Sequence, residues 1–353
     1  TFAETTQIAL DPELWHLPEG ANANFQELDG RKTVELNGHL LVKEHSLKEG
    51  IIRIDIWGAP DRSFAGVIFH KQDHFYEEIY LRLHKSGRND ALQYTPVFHK
   101  ESNWQLLDQA QANPTFKMGE WNQLEIHFNA KSALIKVNGA TALIVHELKG
   151  NKDGNQFGLW SLFPSTFSNV SFEQTVVSIP ASEEAKSQDK TNLITKWQLS
   201  EGYPLDQLQE LLPKLDQIDY QSAETWNNGV LPISKYTSKA IAGKFRRNSE
   251  DFVVAKLDLA SEAEVTKWLQ FDFSDRCLVI LNGNILFQGD NQFRLKGLQY
   301  MGNLNPLANT IPLALKAGKN ELMIVVIEKT NGWGLIGQWV AEQDNYRTKI
   351  FED

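Results

Sequence analysis

Four short runs in this chain alternate apolar and polar residues with a period of two. Ile52, Ile54 and Ile56 alternate with Arg53 and Asp55, and Val67 and Phe69 alternate within Gly66–His70. Ile79, Leu81 and Leu83 alternate with Glu78, Tyr80, Arg82 and His84, and Leu124, Ile126 and Phe128 with Glu125 and His127. Successive side chains of a strand point to opposite faces, so each run implies one core face and one open face. Segments 8–15, 33–41, 133–137, 156–160 and 168–172 complete a set of short strands separated by Gly- and Asn-containing turns. Asn138-Gly139 marks a tight hairpin, because both residues tolerate positive φ. Evenly spaced short strands with almost no helical periodicity predict an antiparallel sandwich.

The pattern recurs in the second half, over 251–257, 265–273, 277–281, 284–288, 310–315, 321–328 and 334–340, with a second hairpin at Asn282-Gly283. Between the halves the chain turns polar and charged (Ala181-Ser182-Glu183-Glu184), a composition that buries little and reads as a linker. The expected organisation is therefore all-β: a sandwich over 1–177, a linker over 178–196 and a second sandwich over 197–353. One amphipathic helical segment follows the linker. Leu205, Leu208, Leu212 and Leu215 recur at helical spacing, Pro213 interrupts them, and the stripe is expected to dock on its own domain.

Composition removes several functions. A formal charge of -10 argues against nucleic-acid binding, which rests on clustered Lys and Arg. No apolar run approaches the roughly 20 residues that span a bilayer. Cys277, the single cysteine, rules out an internal disulfide or a cysteine-rich zinc site, and its apolar surroundings mark it as a buried small hydrophobe. The chain begins at Thr1 rather than Met, which suggests a removed leader and an exported protein, periplasmic, surface-bound or extracellular.

One stretch, Phe75 to Leu107, concentrates hydrogen-bonding and stacking groups. The alternation places Tyr80, Arg82 and His84 on an open face, and the turn Ser86–Asp90 follows, then Gln93, Tyr94, Trp104 and Gln105. Flat aromatic rings beside planar donors and acceptors suit carbohydrate recognition. The candidate ligand-binding set is Tyr80, Arg82, His84, Asn89, Asp90, Gln93, Tyr94 and Trp104, with Trp104 leaning towards a packing role. The competing structural reading is that Arg82 and Asp90 simply pin the turn. Most other tryptophans, Trp57, Trp121 and Trp160 among them, sit in strand patterns and read as core or domain-contact residues. In the second half, Asn291–Arg294, Tyr300 and Asn331–Trp333 form loop-like clusters that suit another sugar site or a domain interface.

Catalytic motifs are missing. A retaining glycosidase needs two carboxylates about 5–5.5 Å apart, and no Glu-x-Asp-x-x-Glu run supplies them. Glu77 and Glu78 are adjacent and point to opposite faces. Asp55 reads as a solvated partner of Arg53. There is no Gly-x-Ser-x-Gly, His-Glu-x-x-His, phosphate loop or EF-hand loop. His70, His74 and His84 read as surface or hydrogen-bonded histidines, so no metal and no cofactor is expected.

The runs EGIIRIDIW, FAGVIFH, EEIYLRLHKSGRNDALQYTPVF, GEWNQLEIHF and GLWS resemble the bacterial laminin-G/concanavalin A-like jelly rolls. The closest group is the "family 16 glycoside hydrolase-like", or 3-keto-disaccharide hydrolase-like, domains. Arg82, His84, Ser86, Gly87, Asp90 and Ala91 match that group's motif, with Gln93 and Trp104-Gln105-Leu106 after it. Val279–Gly283, Phe287–Gly289 and Leu315–Leu322 resemble the galactose-binding-like jelly roll. These resemblances imply fold more than reaction. The expectation is non-catalytic binding of an oligo- or polysaccharide by the open face of the first sandwich. The alternative is a glycan-active hydrolase or lyase using Arg82, His84 and Asp90, and the second alternative is a protein-interaction scaffold.

Overall fold

The computed structural model describes residues 4–28, 30–181 and 192–340. The chain divides into two compact units, Thr1–Phe98 with Gln109–Ala185, and His99–Asp108 with Lys186–Asp353. Both are antiparallel β-sandwiches, as the period-two runs require. The segment expected as a linker lies largely, over 182–191, outside the described residues. The ten residues His99–Asp108 follow the strand Leu92–Phe98 of the first unit yet group with the second.

In the first unit one long strand, Gln156–Gln174, serves both sheets. Its first part pairs with Phe64–Gln72 on one side and Gly38–Leu41 on the other; its last part pairs with Gly50–Trp57. The sequence predicted two strands here. They are one because the register shifts between Ser161 and Ser165 without breaking the chain's pairing, and such bulges bend a strand rather than end it. One sheet continues through Phe75–Leu81 and Leu92–Phe98, the other through Trp121–Phe128 and Ala133–Val137. Ile52, Ile54, Ile56, Leu124 and Ile126 from one sheet and Val67, Phe69, Ile79 and Leu81 from the other are all buried. Phe69 and Phe128 meet at 4.5 Å. The expected strand over 8–15 is broken instead into Thr5–Ile8, a 3-10 turn at Pro12–Leu14 and Trp15–His16. Asp11 accepts from the Glu13 amide and Pro12 follows it, a helix-start pattern that overrides the apolar alternation.

In the second unit a seven-stranded sheet faces a four-stranded one. Their inner faces bury Trp197, Val253, Phe271, Phe273, Val279, Ile324 and Trp333 in one cluster, and Cys277 lies in it as expected. Asn282 and Gly283 hold φ of 50° and 80°, the hairpin geometry predicted from their identities. The leucine stripe forms a 3-10/α/3-10 relay over Leu205–Gln217, split where Pro213 enters. Leu205, Leu208, Leu211 and Leu212 pack on the outer layer of Phe252, Val254, Met323 and Val325, so the stripe docks on its own unit.

Candidate functional site

The strand Phe75–Leu81 stops one turn earlier than its alternation suggests. Leu83–Lys85 is a 3-10 turn capped by Arg82, so Arg82 and His84 do not continue a flat strand face. The turn after it is closed by backbone bonds, Arg88 N to Lys85 O at 2.9 Å and Ala91 N to Arg88 O at 2.9 Å. Gly87 takes φ 73°, which only glycine adopts cheaply.

Glu78, Tyr80 and Arg82 do share one face, but it is closed rather than open. Tyr80 and Arg82 are each 3% exposed and Gln93 is 0% exposed. The Arg82 guanidinium spends its donors internally, on the Asp90 carbonyl (2.6 Å), the Tyr80 hydroxyl (3.1 Å) and Gln93 Oε1 (3.3 Å). Its centre sits 5.1 Å from the Tyr80 ring and 5.9 Å from that of Phe64. The Asp90 carboxylate lies 4.0 Å from Arg82 and pairs closely with Lys85. The geometry is that of the pinned turn, a role weighed in the sequence and now supplied with partners. An unpaired guanidinium here would be costly, which is the physical reason that these acceptors converge on it.

The remaining candidates divide by location. Tyr94 points to the opposite face from Gln93, where its hydroxyl donates to Glu77 Oε2 at 2.8 Å and accepts from the Lys149 amide at 2.6 Å. The period-two rule separates neighbours, so Gln93 and Tyr94 could never share one surface. Trp104 belongs to the second unit, where its indole donates to Asn331 Oδ1 at 3.2 Å and meets the Phe293 ring edge at 6.0 Å. Asn89 is exposed on the turn, and Asp90 and His84 are half-buried. The structure therefore brings together Tyr80, Arg82, Gln93, Asp90 and His84, and separates Tyr94 and Trp104 from them.

Reasoning from alternation alone missed an aromatic group around this cluster. Phe64, Trp160 and Phe163 are half-buried, and Trp160 packs at the same time against the buried cluster of Leu41, Ile68, Tyr76 and Val97. Phe64 contacts His84 at 5.3 Å, Tyr80 at 6.0 Å and Phe163 at 6.3 Å. Arg62, exposed, lies over both Phe64 (5.8 Å) and Phe163 (5.5 Å). Register explains the assembly. Gly66 stands between Tyr80 and Trp160 on adjacent strands, and a Cβ there would fall 2.6 Å from the Tyr80 Cα. Without that side chain the Tyr80 and Trp160 rings close across the glycine to 5.1 Å. Phe163 holds φ 68°, an unusual backbone for a bulky residue, in the bulge of the long strand. Gly66, interrupting an apolar run, was the available signal for the Tyr80–Trp160 approach.

The protonation states are set by burial. Glu78 is 3% exposed, and burial, opposed by the Arg82 charge, pushes its carboxyl up to about 8. Burial also lowers the His84 imidazole, against a bond to Ser63 that raises it. His84 Nδ1 lies 3.1 Å from the Ser63 carbonyl and 3.3 Å from the Ser63 amide, and its Nε2 has no hydrogen-bond partner among the described residues. At neutral pH the cluster thus holds a protonated carboxyl, a guanidinium and a neutral imidazole with one free nitrogen.

The opposite sheet corrects another expectation. Arg53 and Asp55 do not pair. Arg53 bridges Glu125 (2.5 Å) and Glu173 (2.6 Å), while Asp55 pairs with Arg31 at 2.9 Å. Residues two apart on one strand share a face but stand about 7 Å apart, so cross-strand partners win. Burial alone would raise the Glu125 carboxyl, but bonds from His127, Arg53 and Lys136 bring it down to about 2.

In the second unit the loop clusters hold one another. Asn291 Oδ1 accepts from Lys296 (2.8 Å) and Tyr300 (2.9 Å), and Gln105 bonds Met301 O (2.7 Å) and the Ser274 hydroxyl (3.1 Å). Beside them lies a buried charge cluster of Glu101, Asp251, Asp275 and Glu328 with Lys239. Lys239 Nζ approaches Glu101 only to 3.9 Å, and Lys239 Nζ, Asp251 Oδ1, Asp275 Oδ1 and Glu328 Oε2 are buried without hydrogen bonds. Burial pushes Glu101 up to about 7, opposed by Lys239, and Asp275 up to about 6; Glu328 is raised by burial and by Asp275.

Residues 13–177 match the family model described as the 3-keto-alpha-glucoside-1,2-lyase-like domain, in line with the resemblance read from the first half of the sequence. None of the curated proteins compared with the chain matches it. Among solved structures, the carbohydrate-binding module CBM66 from Bacillus subtilis is 14% identical with a TM-score of 0.34, over 46% of this chain and 96% of that one. Domain 4 of AbnA, a GH43 extracellular arabinanase from Geobacillus stearothermophilus in complex with arabinotriose, is 12% identical (TM-score 0.33; 50% and 84% covered). A prokaryotic β-1,3-1,4-glucanase (lichenase) derived from a mouse hindgut metagenome is 8% identical (TM-score 0.35; 49% and 99% covered).

Proposed function

We propose that the first unit binds a carbohydrate on the half-buried aromatic group of Phe64, Trp160 and Phe163. The observation that carries this reading is the group itself, rings left partly open to solvent above a bonded Arg82–Tyr80–Gln93 layer that holds them in place. Ring faces stack on sugar C–H groups, and Arg62 and His84 Nε2 offer a donor and an acceptor at the rim. The family match over residues 13–177 points to a sugar-directed role as well. In this reading Tyr80, Arg82 and Gln93 support the surface from beneath, and His84, Asp90 and Asn89 lie where a ligand can reach. Calorimetry with a panel of mono-, di- and oligosaccharides tests it. Phe163→Ala is expected to weaken the best ligand at least tenfold; unchanged affinity in Phe163→Ala and Phe64→Ala rules the surface out.

A second reading, a glycan-active lyase or hydrolase, is favoured by the protonation pattern. A 1,2-elimination on a 3-keto sugar removes the C2 proton, forms the C1–C2 double bond and expels the C1 oxygen, which takes up a proton. The step needs one base and one acid. His84, half-buried and kept neutral, has the form of the base, whereas Glu78, though kept protonated, is 3% exposed on the closed face and does not reach a ligand. Arg82 and Asp90, the other members of this alternative, pair with each other at 4.0 Å, and Asp90 pairs closely with Lys85. Incubation with a 3-keto disaccharide tests it by chromatography: cleavage that vanishes in His84→Gln supports the lyase, and intact substrate with wild type excludes it. The second unit we read as a galactose-binding-like jelly roll on its Asn282-Gly283 hairpin and the Gly318–Glu328 strand, and the whole protein as exported. A stoichiometric protein partner in a pull-down would favour a scaffold role instead.

A further inference from the structure

The outer face of the other sheet in the first unit carries a cleft of about 580 Å³ whose lining includes Gln7, Arg53, Asp55, Gln123, Asn169 and Glu173. Register arranges it in rows. Trp57 lies opposite Trp121, Asp55 opposite Gln123, and Arg53 opposite Glu125. Successive rows are about 7 Å apart, so the strip from the tryptophans to Arg53 runs about 14 Å, and Thr5 and Glu173 extend it.

The chemistry of the strip is specific. Its cations are consumed: Arg53 by Glu125 and Glu173, Arg31 by Asp55. Among the described residues of the strip both arginines are thus neutralised, which disfavours a phosphate, sulfate or carboxylate ligand, and the carboxylates repel one. What is left over is neutral or accepting. The Gln7 and Gln123 amides are exposed and have no hydrogen-bond partner among the described residues. Asp55 and Glu173 each use one oxygen for the bonds found among the described residues, Asp55 Oδ2 for Arg31 and Asn169, Glu173 Oε1 for Arg53 and Thr5. The second oxygen of each is an acceptor for a hydroxyl. At the end of the strip Trp57 and Trp121 meet edge to face at 5.2 Å, both half-buried, and the Arg31 guanidinium covers the Trp121 ring at 5.3 Å. Trp121 is thereby clamped and Trp57 is left as the platform. An ion network built only for stability accounts for the arginines. It does not account for a half-exposed tryptophan pair aligned with unpartnered amides.

We propose that this face is a second carbohydrate site, taking an uncharged, unbranched oligosaccharide along the strip from Trp57 to Glu173. It does not rest on the surface around Phe163: that residue lies in the Ser161–Ser165 bulge of the long strand, whereas the strip uses the strand's last part, paired with Gly50–Trp57. The test uses the full chain with cellohexaose, laminarihexaose, xylohexaose and mannohexaose as probes. Titration is followed by indole N–H resonances assigned through Trp57→Phe and Trp121→Phe. Expected are saturable shifts of the Trp57 and Trp121 indoles with at least one hexaose, at least a tenfold weaker midpoint in Gln123→Ala and Trp57→Ala, and the same indole shifts in Phe163→Ala. Unmoved indoles with all four probes overturn the proposal. So does a midpoint unchanged in Gln123→Ala and Trp57→Ala. Loss of the indole shifts in Phe163→Ala also overturns it, because binding would then belong to the first surface alone.

Discussion

Arg82 Nη1 donates to the main-chain carbonyl of Asp90 at 2.6 Å, and so ties the end of one strand to the turn that begins the next. Removing the guanidinium leaves the Asp90 carbonyl, the Tyr80 hydroxyl and Gln93 Oε1 without it in a closed environment. Arg82→Ala is expected to lower stability by about 3 kcal/mol, seen as a lower urea midpoint. Arg82→Lys keeps the charge but not the fork and should recover less than half of the loss. A stability unchanged in Arg82→Ala would return Arg82 to a ligand-contacting role.

Phe163 separates binding from folding. Its φ of 68° is strained for a side chain, so Phe163→Gly relieves backbone strain while deleting the ring. The expected outcome is a thermal midpoint close to wild type together with at least a tenfold loss of sugar affinity. A large drop in midpoint would show that the ring is held for packing.

The buried charge cluster of the second unit makes stability fall as pH rises. A carboxyl raised by the fold is protonated when folded and ionised when unfolded, between its ordinary value near 4.5 and its folded value. For Glu101, raised to about 7, the stabilisation is complete below pH 4.5 and is lost as pH climbs to about 7. Each such group contributes a slope of about 1.4 kcal/mol per pH unit in its window. Calorimetry between pH 5 and pH 8 should show a falling midpoint, and Glu328→Gln should flatten it. A midpoint that rises over this range contradicts the protonated cluster.

Gly139 takes φ 81° in the hairpin with Asn138. Gly139→Ala is expected to cost about 1 kcal/mol with no change in any ligand affinity, since nothing lies within 4 Å of the added methyl. A chemical denaturation curve gives the value directly.

Much of the fold was readable because strand periodicity is a local property. Trp121–Phe128 and Ala133–Val137 fall where the alternation placed them, and both Asn-Gly hairpins adopt the expected backbone. The site was only partly readable. Alternation puts Glu78, Tyr80 and Arg82 on one face, but whether that face is open depends on residues far away in sequence, and here it is closed. Glu78 was set aside for want of a paired carboxylate, whereas its environment, not a partner acid, holds it protonated.

The sequence by itself determined the all-β class, the two sandwiches, the hairpins and the docked leucine stripe, because each follows from side-chain period or backbone preference within a few residues. Only the tertiary structure decided that Arg53 and Asp55 part to take cross-strand partners, that Trp104 lies in the second unit, and that the aromatic group assembles over Gly66. Those outcomes depend on register between distant strands, a sum of many small packing and pairing energies that no single segment encodes.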